Sequence, residues 1–284
     1  MKRLFLLRFA TFIITVSFLV YQKMSGPTYP VRYKVEVGGE TLKGKFSRSG
    51  DIHDDLELAI TTANENVKAD LVWQRYPIKD GWTRVAFVRQ DGQLKAYLPK
   101  QGMAGKIEYR VEITNGGETV VVPPEEAAVA RFKGTVPNLI LVVHVICMIL
   151  GMFFSNAAGF DALTGAHQLK MLSRFSFGFL LVGGTILGPI VQKYAFDAYW
   201  TGWPLGDDWT DNKLAVGALV WLIAMIASWK STPENKAGRW ITVVAMIVIF
   251  VVYGIPHSIH GSTLDYETGE HIQVMVRSLN SMFG

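Results

Sequence analysis

The chain has 284 residues, half of them hydrophobic, and a formal net charge of +4. The apolar excess is concentrated: residues 31–131 read as a soluble domain with nearly balanced acids and bases, and the remainder is dominated by long apolar runs, which implies one soluble core plus a membrane bundle. The surplus bases flank apolar runs, where they orient helices rather than bind nucleic acid, and the lone Cys147 excludes an intrachain disulfide.

A helix that crosses a bilayer needs about 20 mostly apolar residues. The first candidate is Leu4–Tyr21. Arg8 interrupts it and no small-x-small cleavage site follows Val20. Residues 1–24 therefore read as an uncleaved signal anchor rather than a removed signal peptide.

Within a domain read as residues 30–126, residues 31–122 alternate apolar and polar with period two. VRYKVEV and TLKGKFS flank Gly38-Gly39, WTRVAFV and QLKAYLP flank Asp91-Gly92, and KIEYRVEI and ETVVV flank Asn115-Gly116-Gly117, each a hairpin signal. With LELAITT and ADLVWQRY they make seven or eight short strands at the spacing of an all-β sandwich. Tyr109 follows the turn-rich PKQGMAG in the manner of a tyrosine corner, which points to an immunoglobulin-like or fibronectin type III-like fold. The antibody cysteine pair is absent, and His53 is the domain's sole histidine, which excludes a blue-copper site. The expected role is binding or spacing, although such a fold does not by itself decide function.

RFKGTVP reads as a short linker into the second span, Val136–Phe154, with Pro137 in its first turn. His144 then lies roughly 10 Å below the outer surface at 1.5 Å rise per residue. A polar ring at that depth must face the bundle and find a partner. Two readings stay open: a neutral histidine bonded to a neighbouring helix, or a haem or metal ligand. The third span, Phe175–Val191, carries Gly184 and Gly188 as a G-x-x-x-G pair that lets helices approach closely, and Pro189, which should kink its end.

The segment QKYAFDAYWTGWPLGDDWTDNK, residues 192–213, leads to the fourth span, Leu214–Ser228. Its aromatics fit a belt at the headgroup level, with Thr210 or Asp211 as the helix N-cap. The alternative is a re-entrant lid that brings Asp207, Asp208 and Asp211 to a metal. Those acids fail the EF-hand pattern, because its glycine and distal glutamate are missing. The fifth span, Trp240–Tyr253, runs into IPHSIHGSTLDY, whose His257 approaches the depth of His144. A shared site of His144, His257 and His260, holding haem b or a divalent metal, is geometrically conceivable. Residues 134–260 thus read as a four-helix transmembrane bundle with an aromatic and aspartate-rich outer loop at 193–213, and residues 261–284 as a tail with an amphipathic helix.

Lys2, Arg3, Lys170, Arg174, Lys230, Lys236 and Arg239 fall on one side of these spans, and Asp197, Asp207, Asp208, Asp211, Asp265 and Glu267 on the other. By the positive-inside rule the N-terminus is cytoplasmic, and the β domain and C-terminus are periplasmic in a bacterial inner membrane. No Walker loop, Rossmann fingerprint, G-x-S-x-G or H-E-x-x-H is present.

The strings LPKQGMAGKIEYRVEI, RFKGTVP, QKYAFDAYWTGWPLGDDWTDNK and IPHSIHGSTLDY resemble a family of uncharacterised bacterial inner-membrane proteins with this layout over most of the chain. The resemblance implies the architecture and supplies no activity or cofactor. The expected function is that of a non-enzymatic inner-membrane protein whose periplasmic domain engages a periplasmic or membrane protein, as an accessory subunit in the lipid bilayer. The alternative is a haem- or metal-binding redox protein, and a third reading is a hydrolytic membrane enzyme using the same residues.

Overall fold

A computed structural model of the protein describes residues 2–206, 208–229, 236–256 and 261–269. The chain divides into two compact units. One comprises Pro27–Thr135 and the segment from Ser262; the other comprises Met1–Gly26 and Val136–Gly261.

The first unit is built from eleven strands among the described residues: β1 (Val31–Val37), β2 (Glu40–Phe46), β3 (Ser49–Asp51), β4 (Leu56–Thr61), β5 (Lys68–Tyr76), β6 (Thr83–Ala86), β7 (Val88–Gln90), β8 (Gln93–Leu98), β9 (Lys106–Asn115), β10 (Glu118–Val122) and β11 (Ala128–Lys133). They form a β1–β2 pair, a sheet ordered β3-β11-β9-β5-β6 with β10 also on β9, and a sheet ordered β4-β8-β7. All three sheets feed one apolar core, which includes Val37 and Phe46, Leu58 and Leu98, and Leu71 and Phe132. The two-residue alternation of β9 is the cause: Ile107, Tyr109, Val111 and Ile113 all point inward and are fully buried. Each such aliphatic side chain contributes about 1.5–3 kcal/mol on burial.

Asp91 and Gly92 both take positive φ, 50° and 75°, between paired Gln90 and Gln93, which is the tight hairpin their sequence implies. Two elements differ from expectation. WTRVAFV is two strands, because Phe87 turns into the core and its N–H bonds Ala69 O at 2.8 Å, so the chain leaves one sheet and joins the other. The stretch read as ending at residue 126 and continuing as a linker contains β11, whose Ala128, Ala130 and Phe132 are core residues. Tyr109 does not close a local corner. Its Oη donates to Ser47 O at 2.7 Å, in the β2–β3 connection, and burial pushes its phenol above the ordinary value. The segment after Ser262 belongs to this unit: Leu264 N–H bonds Ala104 O at 3.1 Å, and Tyr266 Oη accepts from Lys106 N and donates to Lys106 O at 2.9 and 2.8 Å. Within the expected tail, residues 270–284 lie outside the described residues.

The second unit is helical: α1 (Lys2–Ser25), α2 (Asn138–Thr164), α3 (Leu169–Leu180), α4 (Gly188–Phe196), α5 (Trp209–Trp229) and α6 (Ala237–Gly254), with a π-helical turn at Leu181–Leu187 that joins α3 and α4 into one rod. Five helical stretches are long and apolar enough to cross a membrane: Phe5–Ser25, Asn138–Thr164, Leu169–Phe196, Trp209–Trp229 and Ala237–Gly254. Their exposed faces carry Phe9, Leu139, Ile223 and Val251, the surface hydrocarbon requires. α2 is longer than its apolar run. Its last turns hold Ser155, Asn156 and Asp161, which are buried in the bundle rather than marking an exit from it.

Candidate functional site

The ends of α1, α4 and α6 and the starts of α2 and α5 surround a cavity of about 440 Å³, lined by His144, Gln192, Asp208, Asp211, Lys213 and Tyr253 over apolar walls such as Leu141, Val191 and Leu214. This is the tethered end of the bundle, where the chain passes to and from the β unit at residues 26–27, 135–136 and 261–262. Its helix ends are fastened together. Gln22 Nε2 donates to Tyr253 O and, at 3.1 Å, to Ile255 O. Tyr21 Oη bonds Gly254 O at 3.0 Å. Lys213 Nζ bonds Ile255 O at 2.6 Å, so a cation covers the carbonyl end of α6.

His144 and two of the three aspartates meet at this cavity. The imidazole Nδ1 lies 2.8 Å from Gly183 O, inside the π-helical turn. A carbonyl only accepts, so Nδ1 carries the hydrogen, and Nε2 is left as an acceptor. The approach is possible because Gly183 has no side chain: a Cβ there would stand 2.7 Å from Cys147 Cβ and 3.1 Å from Met148 N. Gly184 faces α5 instead, where a Cβ would meet Leu214 Cδ1 at 2.6 Å.

Asp211 is 5% exposed and Asp208 8%. Asp211 Oδ2 accepts the Thr201 N–H at 2.7 Å and Gln192 Nε2 at 3.1 Å. The Thr201 hydroxyl faces both acids, 3.2 Å from Asp208 Oδ2 and 3.3 Å from Asp211 Oδ2, and receives Gln192 Nε2 at 2.7 Å. Asp208 Oδ1 accepts the Thr210 N–H at 2.7 Å, which makes Asp208 the N-cap of α5 in place of Thr210 or Asp211. These carboxylates fold the loop inward, while its aromatics Tyr199, Trp203 and Trp209 face outward, 60%, 71% and 55% exposed. The loop thus turns its acids inward and its rings outward.

His257, His260 and Asp207 lie outside the described residues. Among the described residues no group of three or more His, Cys, Asp or Glu side chains is placed to hold a metal ion. Lys213, Gln192, Thr201, Gln22 and Tyr253 were not singled out by the sequence. A lysine within the first turns of an apolar helix was the one available signal, because hydrocarbon tolerates such a charge only beside partners. The cavity therefore offers an amphipathic binding space with a histidine acceptor, two buried acids and one amine. Comparison of the chain with protein-family models, curated proteins and solved structures returns no match.

Proposed function

We propose that the chain is a multi-pass protein of a bacterial inner membrane, with its N-terminus cytoplasmic, that works by binding. Its β unit is an immunoglobulin-like periplasmic sandwich that engages a protein partner, and the whole acts as an accessory subunit of a membrane complex. The observation that carries this reading is the open edge of the β unit. β6 ends the six-stranded sheet and β7 ends the three-stranded one, so among the described residues β6 and β7 are each an edge strand with no further strand beside it. Trp82, Val85 and Val88 are exposed along them, 43%, 38% and 57%. Native proteins usually blunt such edges with charge, and an open apolar edge accepts an extended strand from another chain. The basic residues here are already engaged: Arg84 pairs with Asp70 and Glu112 at 3.0 and 2.7 Å, and Arg89 donates to Thr62 O and Asn64 O at 2.9 and 2.8 Å.

The orientation rests on charge. Arg174, stacked over Trp229 at 4.3 Å, and Arg239, bonded to Ala162 O at 2.8 Å, belong to the end of the bundle opposite the cavity. A photo-crosslinking residue at Val85 or Val88 in growing cells should yield a discrete adduct, whereas one at Tyr97, on β8 inside the same sheet, should not. The absence of adducts from both edge positions refutes the binding edge. A periplasmic reporter fused after Gly284 should be active, and a reporter active only in the cytoplasm refutes the orientation.

A second reading, haem or metal binding, is favoured by one observation: His144 Nδ1 is held by a carbonyl, the arrangement that presents Nε2 to a metal. Purified protein with a Soret band that His144→Ala removes would establish it.

A further inference from the structure

α1 is buried inside out. Its outward faces carry Phe5, Phe9, Phe12, Val16 and Val20, and the only two described residues of the helix that are fully buried are Thr11 and Thr15. Each hydroxyl bonds the carbonyl four residues back, Leu7 O and Thr11 O, at 2.9 Å. Thr15 Oγ1 then accepts Asn156 Nδ2 at 3.1 Å. Thr11 also lines a second cavity, of about 370 Å³, at the far end of the bundle, together with Arg8, Ala157, Asp161 and Gln168. Gln168 joins the two charges at that mouth: its N–H bonds Asp161 Oδ2 at 2.9 Å, and its Oε1 accepts Arg8 Nη2 at 3.1 Å. A polar line thus leads from the far end, through Thr11 and Thr15, to Asn156 about halfway up the bundle.

At that level several polar atoms have no protein partner among the described residues. Ser155, Asn156 and Ser173 are fully buried, yet Ser155 Oγ, Asn156 Oδ1 and Ser173 Oγ accept and donate no bond, and neither does Trp221 Nε1. Ser155 and Ser173 face the same level of the α2–α3 interface, since Ser176 Oγ bonds Gly151 O at 3.2 Å and the helices run antiparallel. One such orphan costs about 1–3 kcal/mol in an apolar interior, and a cluster of them is the signature of groups solvated by internal water. Toward the tethered end the line is cut by apolar matter: Phe18 stacks on Phe250 at 5.3 Å, and Tyr253 Oη is committed to Met148 O at 2.9 Å.

We propose that the bundle contains a half-channel for water, and with it for protons, that runs from the far-end cavity past Thr11 and Thr15 to Ser155, Asn156 and Ser173, and is closed above by the Phe18–Phe250 stack. The inference needs only that the helices span a bilayer; which face the channel opens to is read separately from the partner-binding proposal.

The test uses the full chain in membrane vesicles. In a Cys147→Ala background, Thr15→Cys and Ser155→Cys are exposed to a charged, membrane-impermeant methanethiosulfonate from either face, with Val16→Cys, one residue along and facing lipid, as reference. Both channel cysteines should react at least tenfold faster than the reference, and only from the face of the N-terminus. Reaction no faster than Val16→Cys overturns the channel, and equal reaction from both faces overturns the closed end. Ser155→Ala and Ser173→Ala give an independent sign. If water bonds these hydroxyls, removing them lowers the melting temperature in detergent. If they are dry, removal relieves a desolvation cost, and a raised melting temperature refutes the proposal.

Discussion

The glycines of the π-helical turn yield a graded prediction. A Cβ on Gly183 would lie 2.7 Å from Cys147 Cβ, 3.1 Å from Met148 N and 3.2 Å from Cys147 C. Carbon atoms in contact prefer about 3.5–4.0 Å. Two of the three atoms are backbone of α2, so the strain cannot be relieved by a rotamer change, and the helices must separate by several tenths of an ångström. Overpacking of that kind costs about 1–3 kcal/mol. Separation also stretches the His144–Gly183 bond, worth about 1 kcal/mol more. Gly183→Ala should therefore destabilise by about 2–4 kcal/mol. Gly184→Ala meets only the side chain of Leu214, Cδ1 at 2.6 Å and Cγ at 3.2 Å, which can turn aside as backbone cannot, and should cost about 1 kcal/mol. Gly188→Ala has its nearest neighbour, Leu214 Cδ2, at 3.5 Å, an ordinary contact. It should be neutral, or stabilising by the about 0.5–1 kcal/mol that alanine gains over glycine in a helix. Reversible unfolding of the purified protein by SDS titration in mixed micelles reads all three. A Gly183→Ala protein as stable as wild type, beside a disrupted Gly188→Ala, would refute the contact and restore the G-x-x-x-G pair as the packing motif.

Asp211→Ala removes the acceptor for the Thr201 N–H and the Gln192 amide; it should cost about 3 kcal/mol and open the loop to chymotrypsin after Tyr199 and Trp200, and continued resistance would show that the aromatics hold the loop unaided. Burial pushes the Tyr33 phenol from 10.0 up to about 12. A neutral form favoured by folding gives stability that is present below pH 10 and lost as pH rises to 12, about 2–3 kcal/mol in all. Thermal melts between pH 9 and 12 should fall less steeply for Tyr33→Phe than for wild type, and an unchanged slope would assign the alkaline loss to other groups.

The span count was readable from hydropathy because lipid forces apolar faces outward whatever the interior holds. The helix lengths were not, for the same reason reversed: Asn156 and Asp161 look like the end of a span, yet the bundle encloses them. β11 is hard to read from sequence because RFKGTVP, which shares Arg131, Phe132 and Lys133 with it, reads as a short linker into the next helix; its inward positions, Ala128, Ala130 and Phe132, do alternate, but two alanines make a faint apolar signal. That His144 must find a partner follows from its place in an apolar run. That the partner is Gly183 O does not, since a π turn leaves no mark in a 3.6-residue period. The aspartates were recognised as a group, whereas their shared anchor, Thr201, carries no chemistry visible in isolation.

The buried threonines of α1 also bear on the order in which the molecule is made. Arg8, Thr15 and Gln22 find their side-chain or carbonyl partners 160, 141 and 231 residues downstream. α1 is synthesised before α2 and α6, so it would stand in lipid without those partners. Unsatisfied hydroxyls would be costly there. Thr11 and Thr15 avoid that cost, because each donates to its own helix at the carbonyl four residues back, and only a lone pair is kept for Asn156. α1 can therefore stand alone in an apolar surrounding and dock later without its threonines first breaking a bond, so the formation of the helix and its assembly are separable events in the birth of the protein.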